Sequence, residues 1–308
     1  MDKASTSQST DHCDTAATKS LKNEIDVKLK YPILRKKRNC ALIFCHEVFD
    51  GNIEVKRVGV EQDCNRLKSI LQTFNFEVVI YKDLKRSKIF DTLSKVSQMD
   101  HSDKDCLLIV VLTHGNSGIL CACDHPYDII DLWNPFSENN CPSLKGKPKL
   151  FFIQACRGDD VDSGTELQFE EYTQLKQRVS SEISLPDAGA YKLSPKELKA
   201  LRTPDEQDFL IGYSTAPDYV SYKTECGSWY IEEIYTIFQR YGKHYDLLTL
   251  LTFVSQRVAV NYVTEKSIDP KYEDKKQAPC IVSTLTKLLY FFPEEAEEIP
   301  KDLELEPV

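Results

Sequence analysis

Two side chains in this sequence could do covalent chemistry together. Cys156 ends the apolar run KLFFIQACRG (149–158), and His114 ends another, DCLLIVVLTHG (105–115). A thiolate is a strong nucleophile, and a neighbouring imidazole can lower the thiol pKa or accept its proton. The imidazolium can then donate that proton to a leaving amine. Gly115 has no side chain to screen its backbone N–H. That N–H and the one of Cys156 could hold an oxyanion, and such donors contribute roughly 3–4 kcal/mol each. The residue types alone leave a plainer reading open, because a lone Cys or His at a strand end more often packs than reacts.

For sulfur and imidazole to meet, the two runs must be parallel strands of one sheet. In an open parallel sheet, ligands bind in the crevice beyond the carboxyl ends of the strands. The separation, 156 − 114 = 42 residues, is ample for the crossover that a parallel pairing needs. The rest of the chain fits such a sheet. CALIFCH (40–46), FEVVIY (76–81) and DFLIGYS (208–214) read as further strands. Residues 60–74 and 87–99 carry apolar side chains at helical spacing, and helices are expected near 227–241 and 246–262. QAPCIVSTLTKLLYFF (277–292) should supply a last strand and part of a helix. Continuous apolar strands separated by helices predict an α/β fold with a parallel sheet covered on both faces. The pattern lapses between about 159 and 206, and a stretch of that length inside a compact domain usually has a function of its own.

Composition narrows the class. At 308 residues and 41% hydrophobic, the chain can bury a full core. Its net charge of −9 makes it a poor generic binder of nucleic acid or anionic membrane. No apolar run approaches the ~20 residues that span a bilayer, and MDKASTSQSTDHCD (1–14) lacks the apolar core of a signal peptide. A soluble, cytoplasmic protein is therefore expected. The eleven cysteines are an odd number with no C-x-x-C pair, so reduced thiols are the expectation.

The pentapeptide QACRG (154–158), with a His upstream on another strand, resembles the signature of the caspases. DHSDKDCLLIVVLTHG (100–115), GKPKLFFIQACRG (146–158), DFLIGYSTAPDY (208–219), GSWYI (227–231), LLTLLTFVSQRVA (247–259) and KKQAPCIVSTLTKLLYF (275–291) add to it in order. The resemblance runs from about 38 to 292 and is closest to insect executioner caspases. It implies a three-layer sandwich around a mostly parallel six-stranded sheet with helices on both faces. It also implies a cysteine endopeptidase of apoptosis that cuts proteins after aspartate, with His114 and Cys156 as its dyad and Gly115 in the oxyanion hole. No cofactor or metal goes with it.

The same resemblance suggests which residues bind substrate. A buried carboxylate needs charge-assisted donors, each worth roughly 1.5–3 kcal/mol. By motif these are Arg57, in VKRVGVEQD, and Gln154. A third position departs: where the family reads approximately Tyr-x-Ser-Trp-Arg, this chain has Tyr219-Val220-Ser221-Tyr222-Lys223. Lysine offers a point charge where arginine offers a planar fork, so weaker or altered substrate binding is expected. Tyr222 and Trp229 resemble the aromatic walls of neighbouring subsites.

The chain should divide into a short disordered prodomain (1–30), a large subunit (31–160), a linker cut on activation (161–206), a small subunit (207–294) and an acidic tail (295–308). Asp187, in SLPD, is the preferred processing site of the linker, ahead of Asp160, Asp162 and Asp205; Asp14, in DHCD, is the candidate in the leader. Implied partners are aspartate-containing protein substrates, an upstream initiator caspase, inhibitor-of-apoptosis proteins and a second large–small heterodimer.

Three other readings compete. Cys121-Ala122-Cys123-Asp124-His125 could hold a metal, but zinc sites usually space their cysteines more widely, and a hairpin explains it better. A catalytically weak regulator that dimerises with true caspases is supported only by Lys223. A peptidase preferring basic residues would need an acidic pocket, and Arg57 argues against that.

Overall fold

The computed structural model describes residues 29–35, 38–50, 56–165, 206–264 and 269–293. Along the chain come β1 (Asn39–Cys45), α1 (Val60–Thr73), β2 (Phe76–Lys82), α2 (Arg86–Ser97) and β3 (Leu107–Leu112). Three short strands follow, β4 (Gly115–Asn116), β5 (Ile119–Cys121) and β6 (Pro126–Asp128), then β7 (Lys149–Gln154). Beyond the linker lie β8 (Phe209–Tyr213), β9 (Lys223–Thr224), β10 (Gly227–Ser228), α3 (Trp229–Tyr241), α4 (Leu247–Asn261) and β11 (Cys280–Ser283).

Six strands form one sheet in the order β11-β8-β7-β3-β1-β2. Every pairing is parallel except that of β11 with β8. β3 and β7 lie at the centre, and all of their residues are buried. The two-residue period of a strand divides their side chains between two cores. Leu108, Val110, Leu150 and Phe152 join Leu67, Ile234 and Leu250, so α1, α3 and α4 cover that face. Leu107, Ile109, Phe151 and Ile153 join Leu93, Leu132 and Phe136 under α2 and the short helical turns. The mostly parallel, doubly covered sheet is the expected architecture.

Local chemistry fixes two helix starts near the strand ends. Gly59 caps α1 with φ of 76°. A side chain there would be strained, and its Cβ would meet the Thr224 carbonyl of β9. Asp246 caps α4 by accepting the Leu248 N–H at 3.0 Å.

One expectation fails. Residues 284–293 form no helix, and β11 ends at Ser283. Instead Leu289, Phe291 and Phe292 turn into the core, and Leu288 pairs with Lys30 as an isolated parallel bridge. This ties the described start of the chain to its end. Tyr31 Oη donates to Asp208 Oδ1 at 2.6 Å and accepts the Thr286 N–H at 3.0 Å. Thr286 Oγ1 donates to the same carboxylate oxygen at 2.8 Å. Tyr31→Phe leaves the Thr286 N–H without its acceptor and should cost about 1–3 kcal/mol, read by urea unfolding. An unchanged midpoint would mean that water satisfies these groups equally well.

Candidate active site

The parallel ladder between β3 and β7 sets Leu112 level with Gln154. Hydrogen bonding runs one residue past the strands, with the Thr113 N–H on the Gln154 carbonyl at 3.1 Å and the His46 N–H on the Leu112 carbonyl at 2.9 Å. His114 and Cys156 each follow two residues after the last level pair. Both therefore leave the sheet at its carboxyl edge, on adjacent strands. Gly115 passes so close that an added Cβ would sit 2.7 Å from the Cys156 carbonyl oxygen and 3.1 Å from the Ala155 Cβ. The imidazole of His114 packs on Phe49, with ring centroids 4.9 Å apart. The Cys121 N–H donates to the His114 carbonyl at 3.0 Å, and Thr113 Oγ1 donates to the Cys121 carbonyl at 2.6 Å. These bonds anchor the turn on which the imidazole rides.

A second loop closes over Cys156. The Arg157 N–H donates to the Tyr219 carbonyl at 3.0 Å, and the Asp218 N–H returns to the Arg157 carbonyl at 3.1 Å. Ser214 Oγ donates to the Ala155 carbonyl at 3.2 Å. The Ser221 N–H points at Cys156 Sγ at 3.3 Å, and Gln154 Nε2 donates to Ser221 Oγ at 2.9 Å.

Beside the sulfur lies a cationic recess. Arg57 is 1% exposed, yet its Nη1 and Nη2 have no partner among the described residues. Gln154 Oε1 is likewise buried and unpartnered. Burial pulls the guanidinium below its ordinary range, and Asp63, Cys64 and Cys156 pull it back up. Asp63 does not neutralise Arg57 by direct pairing, because its carboxylate accepts the Ser228 N–H at 2.9 Å and Ser228 Oγ at 2.7 Å. Lys223, half-buried on β9, shares this field: burial lowers its pKa, as does Arg57, while Cys156 and Asp63 oppose the shift. A buried cation with unused donors is costly unless an anion meets it.

An aromatic wall borders the recess. Tyr222 packs against Trp229 with ring centroids 4.9 Å apart, and Trp229 against Tyr262 at 5.1 Å, both pairs tilted. Burial pushes the Tyr222 phenol up to about 12. Gln277 holds this wall in place: its Oε1 accepts the Tyr222 N–H at 2.6 Å, and its Nε2 donates to the Ser214 carbonyl at 2.8 Å.

A sequence profile described as "Caspase domain" matches residues 38–290. The chain is 39% identical over 263 residues to Caspase drICE of Drosophila melanogaster, covering 85% of this chain and 72% of that protein. It is also 39% identical over 262 residues to Caspase-1 of Spodoptera frugiperda, covering 85% and 81%. The crystal structure of Spodoptera frugiperda Caspase-1 superposes with a TM-score of 0.74 at 38% identity, covering 85% of this chain and 93% of that one.

The chain belongs to the caspase family. Its similarity to insect caspases agrees with the executioner-type resemblance.

All the site residues expected in this caspase, His114, Gly115, Cys156, Arg57, Gln154, Ser221, Tyr222, Lys223 and Trp229, gather at the carboxyl edge of the sheet. Asp63, Gln277, Phe49 and His46 join them without having been singled out. Asp63 and Gln277 sit inside quoted blocks, VEQD and KKQAPC, but polar residues within a motif carry no mark of burial. The processing candidates Asp187, Asp205 and Asp14 lie outside the described residues. Asp160 and Asp162 are held in isolated bridges to Tyr219 and Lys276, which suits a protease site poorly. Cys121 pairs with Pro126 across β5 and β6, so the Cys-x-Cys run enters a hairpin.

His46 is fully buried and packs on Phe49, with ring centroids 6.1 Å apart. Its Nε2 must be the donor to the Leu84 carbonyl at 3.1 Å, since a carbonyl only accepts, and its Nδ1 has no partner among the described residues. Burial holds the imidazole below its ordinary 6.5, partly offset by the Leu84 bond and by Asp83, while Arg57 adds to the lowering. The unfolded chain then takes up this proton before the folded one does. Stability should fall as pH drops below about 6.5 and level off only beneath the folded pKa. Urea midpoints from pH 8 to 5 test this: His46→Asn should flatten part of the slope, and an equal slope in both proteins would refute it.

Proposed function

We propose that this caspase is a cysteine endopeptidase that cuts protein chains after aspartate, with Cys156 as nucleophile and His114 as its base and acid. The observation that carries the reading is the buried, unpartnered Arg57 guanidinium in the electrostatic field of Cys156. A side-chain carboxylate offered by the substrate would satisfy Arg57 Nη1 and Nη2 in fork geometry, aided by Gln154 and Lys223. The same anchoring would hold the following carbonyl near sulfur.

His114 takes the thiol proton, and the sulfur attacks the carbonyl carbon. The oxyanion rests on the N–H groups of Gly115 and Cys156. His114 then protonates the departing amine, leaving a thioester, and water activated by the same imidazole releases the acid and restores the thiol. Ser221 orients Gln154 through the bond to its amide, and Tyr222 and Trp229 line the neighbouring subsite.

Activation by linker cleavage belongs to the same reading, with 31–160 as the large subunit and 207–294 as the small one. The proposed cut at Asp187 would sever the chain between β7 and β8, which are paired directly from Lys149↔Phe209 to Ile153↔Tyr213. The two products would remain one sheet. Cleavage at Asp14 within the 1–30 prodomain, an acidic tail at 295–308, activation by an initiator caspase, restraint by inhibitor-of-apoptosis proteins and action in the cytoplasm complete the proposal. β11 pairs with β8 on one side only, and Val282 is 47% exposed, which suits edge-to-edge assembly of two heterodimers.

Cleavage of a positional tetrapeptide library by the full chain tests the reading. Aspartate should dominate at the cleavage position, and Cys156→Ala should abolish turnover. Arg57→Ala should lower kcat/KM by about 100-fold, equivalent to roughly 3 kcal/mol of lost charge-assisted contact. Equal cleavage after asparagine and aspartate would overturn the specificity.

A further inference from the structure

The aromatic wall has a second polar anchor besides Gln277. Trp229 opens α3, and Glu233 lies one helical turn further along the same face. Glu233 is 3% exposed, and both of its carboxylate oxygens are occupied. Arg257, from α4, donates from Nε to Oε2 at 2.6 Å and from Nη2 to Oε1 at 3.5 Å. Tyr262 Oη donates to Oε1 at 2.9 Å. Tyr262 stands where α4 gives way to extended backbone, and its ring is the one packed on Trp229. Burial first, and Glu233 after it, keep the proton on the Tyr262 oxygen, so the phenol remains the donor. Just beyond, the Thr264 N–H donates to the Lys275 carbonyl at 2.9 Å, and the Lys275 N–H to Thr264 Oγ1 at 2.7 Å. The loop between them therefore leaves the wall beside Tyr262 and returns to it at Gln277.

We infer that Glu233 is a positioning residue for substrate selection: by holding Tyr262 against Trp229 it fixes the tilt of the wall, and so which side chains upstream of the aspartate this caspase accepts. The inference rests on the proposed role of Tyr222 and Trp229 as a subsite wall. An apolar residue at 233 could fill the same space without the desolvation cost of a buried charge. What the carboxylate adds is direction. Ring contacts hold three aromatics together over a range of tilts, whereas a hydrogen bond to a fixed oxygen selects one. Arg257 neutralises the carboxylate and fixes that oxygen in turn. Glu233 is enclosed, so it acts on substrate only through Tyr262 and Trp229. Once the bond is lost the rings regain freedom, and a wall that yields discriminates less between side chains.

Two mild substitutions cut the same bond. Tyr262→Phe keeps the ring and removes the donor. Glu233→Gln keeps the shape, but an amide has one acceptor atom where the carboxylate has two, so it cannot offer oxygen to both Arg257 and Tyr262. Competitive cleavage of a positional library of aspartyl tetrapeptides gives ratios of kcat/KM, which do not depend on the fraction of enzyme folded. Trp229→Phe identifies the upstream position that the wall reads. At that position Tyr262→Phe and Glu233→Gln should each shrink the ratio of best to worst side chain by about fivefold, the scale of one net hydrogen bond. The double variant should show the loss of one, since both act through a single contact. Unchanged ratios in Tyr262→Phe, or losses that multiply in the double variant, would overturn the inference. If Trp229→Phe also leaves every upstream preference as in wild type, the reading of the wall as a subsite falls with it.

Discussion

The site depends on the register between β3 and β7. Because the strands are parallel and Leu112 lies level with Gln154, the chain delivers an imidazole and a thiol from adjacent strand ends. A slip of one residue would turn either side chain to the opposite face of the sheet. The register is held by burial: both strands are packed on two faces, and each of their apolar side chains belongs to one of two cores. Reactivity at the edge is therefore a consequence of apolar packing at the centre.

The recess imposes the opposite economy. Among the described residues Arg57 is enclosed without an acceptor for either terminal nitrogen, and Asp63, whose carboxylate lies in its field, is engaged with Ser228. Folding around such a group costs free energy that the two cores must offset. The return is preorganisation, since donors already desolvated and fixed lose little on meeting an anion. The aromatic wall follows the same logic: Gln277 fixes the backbone of Tyr222 before any substrate arrives.

Much of this was legible in the chain. The apolar runs marked the strands, and the residues ending two of them marked the chemistry. Arg57 and Lys223 could be assigned only through motif resemblance, because no periodicity links position 57 to 156 or 223. The folding of the β9–β10 hairpin over α1, which Gly59 permits, joins them in space. Asp63, His46 and Gln277 were hidden because a polar residue shows its burial only after the surrounding elements are placed. The stretch after Ser283 misled for a related reason. Its apolar residues suit a helix locally, but Leu288 finds a strand-like partner in Lys30, and the aromatic pair Phe291–Phe292 fills space beside Phe74. Tertiary packing overrode local preference there.

The central claim is that sulfur and the buried guanidinium serve one substrate residue at once. A crystal structure of the processed protein inactivated with a peptidyl aspartyl aldehyde addresses this directly. The account predicts a bond from Cys156 Sγ to the former aldehyde carbon, with the inhibitor carboxylate forked onto Arg57 Nη1 and Nη2. A carboxylate turned to solvent while Arg57 stays unpartnered, or an adduct on another cysteine, would contradict it.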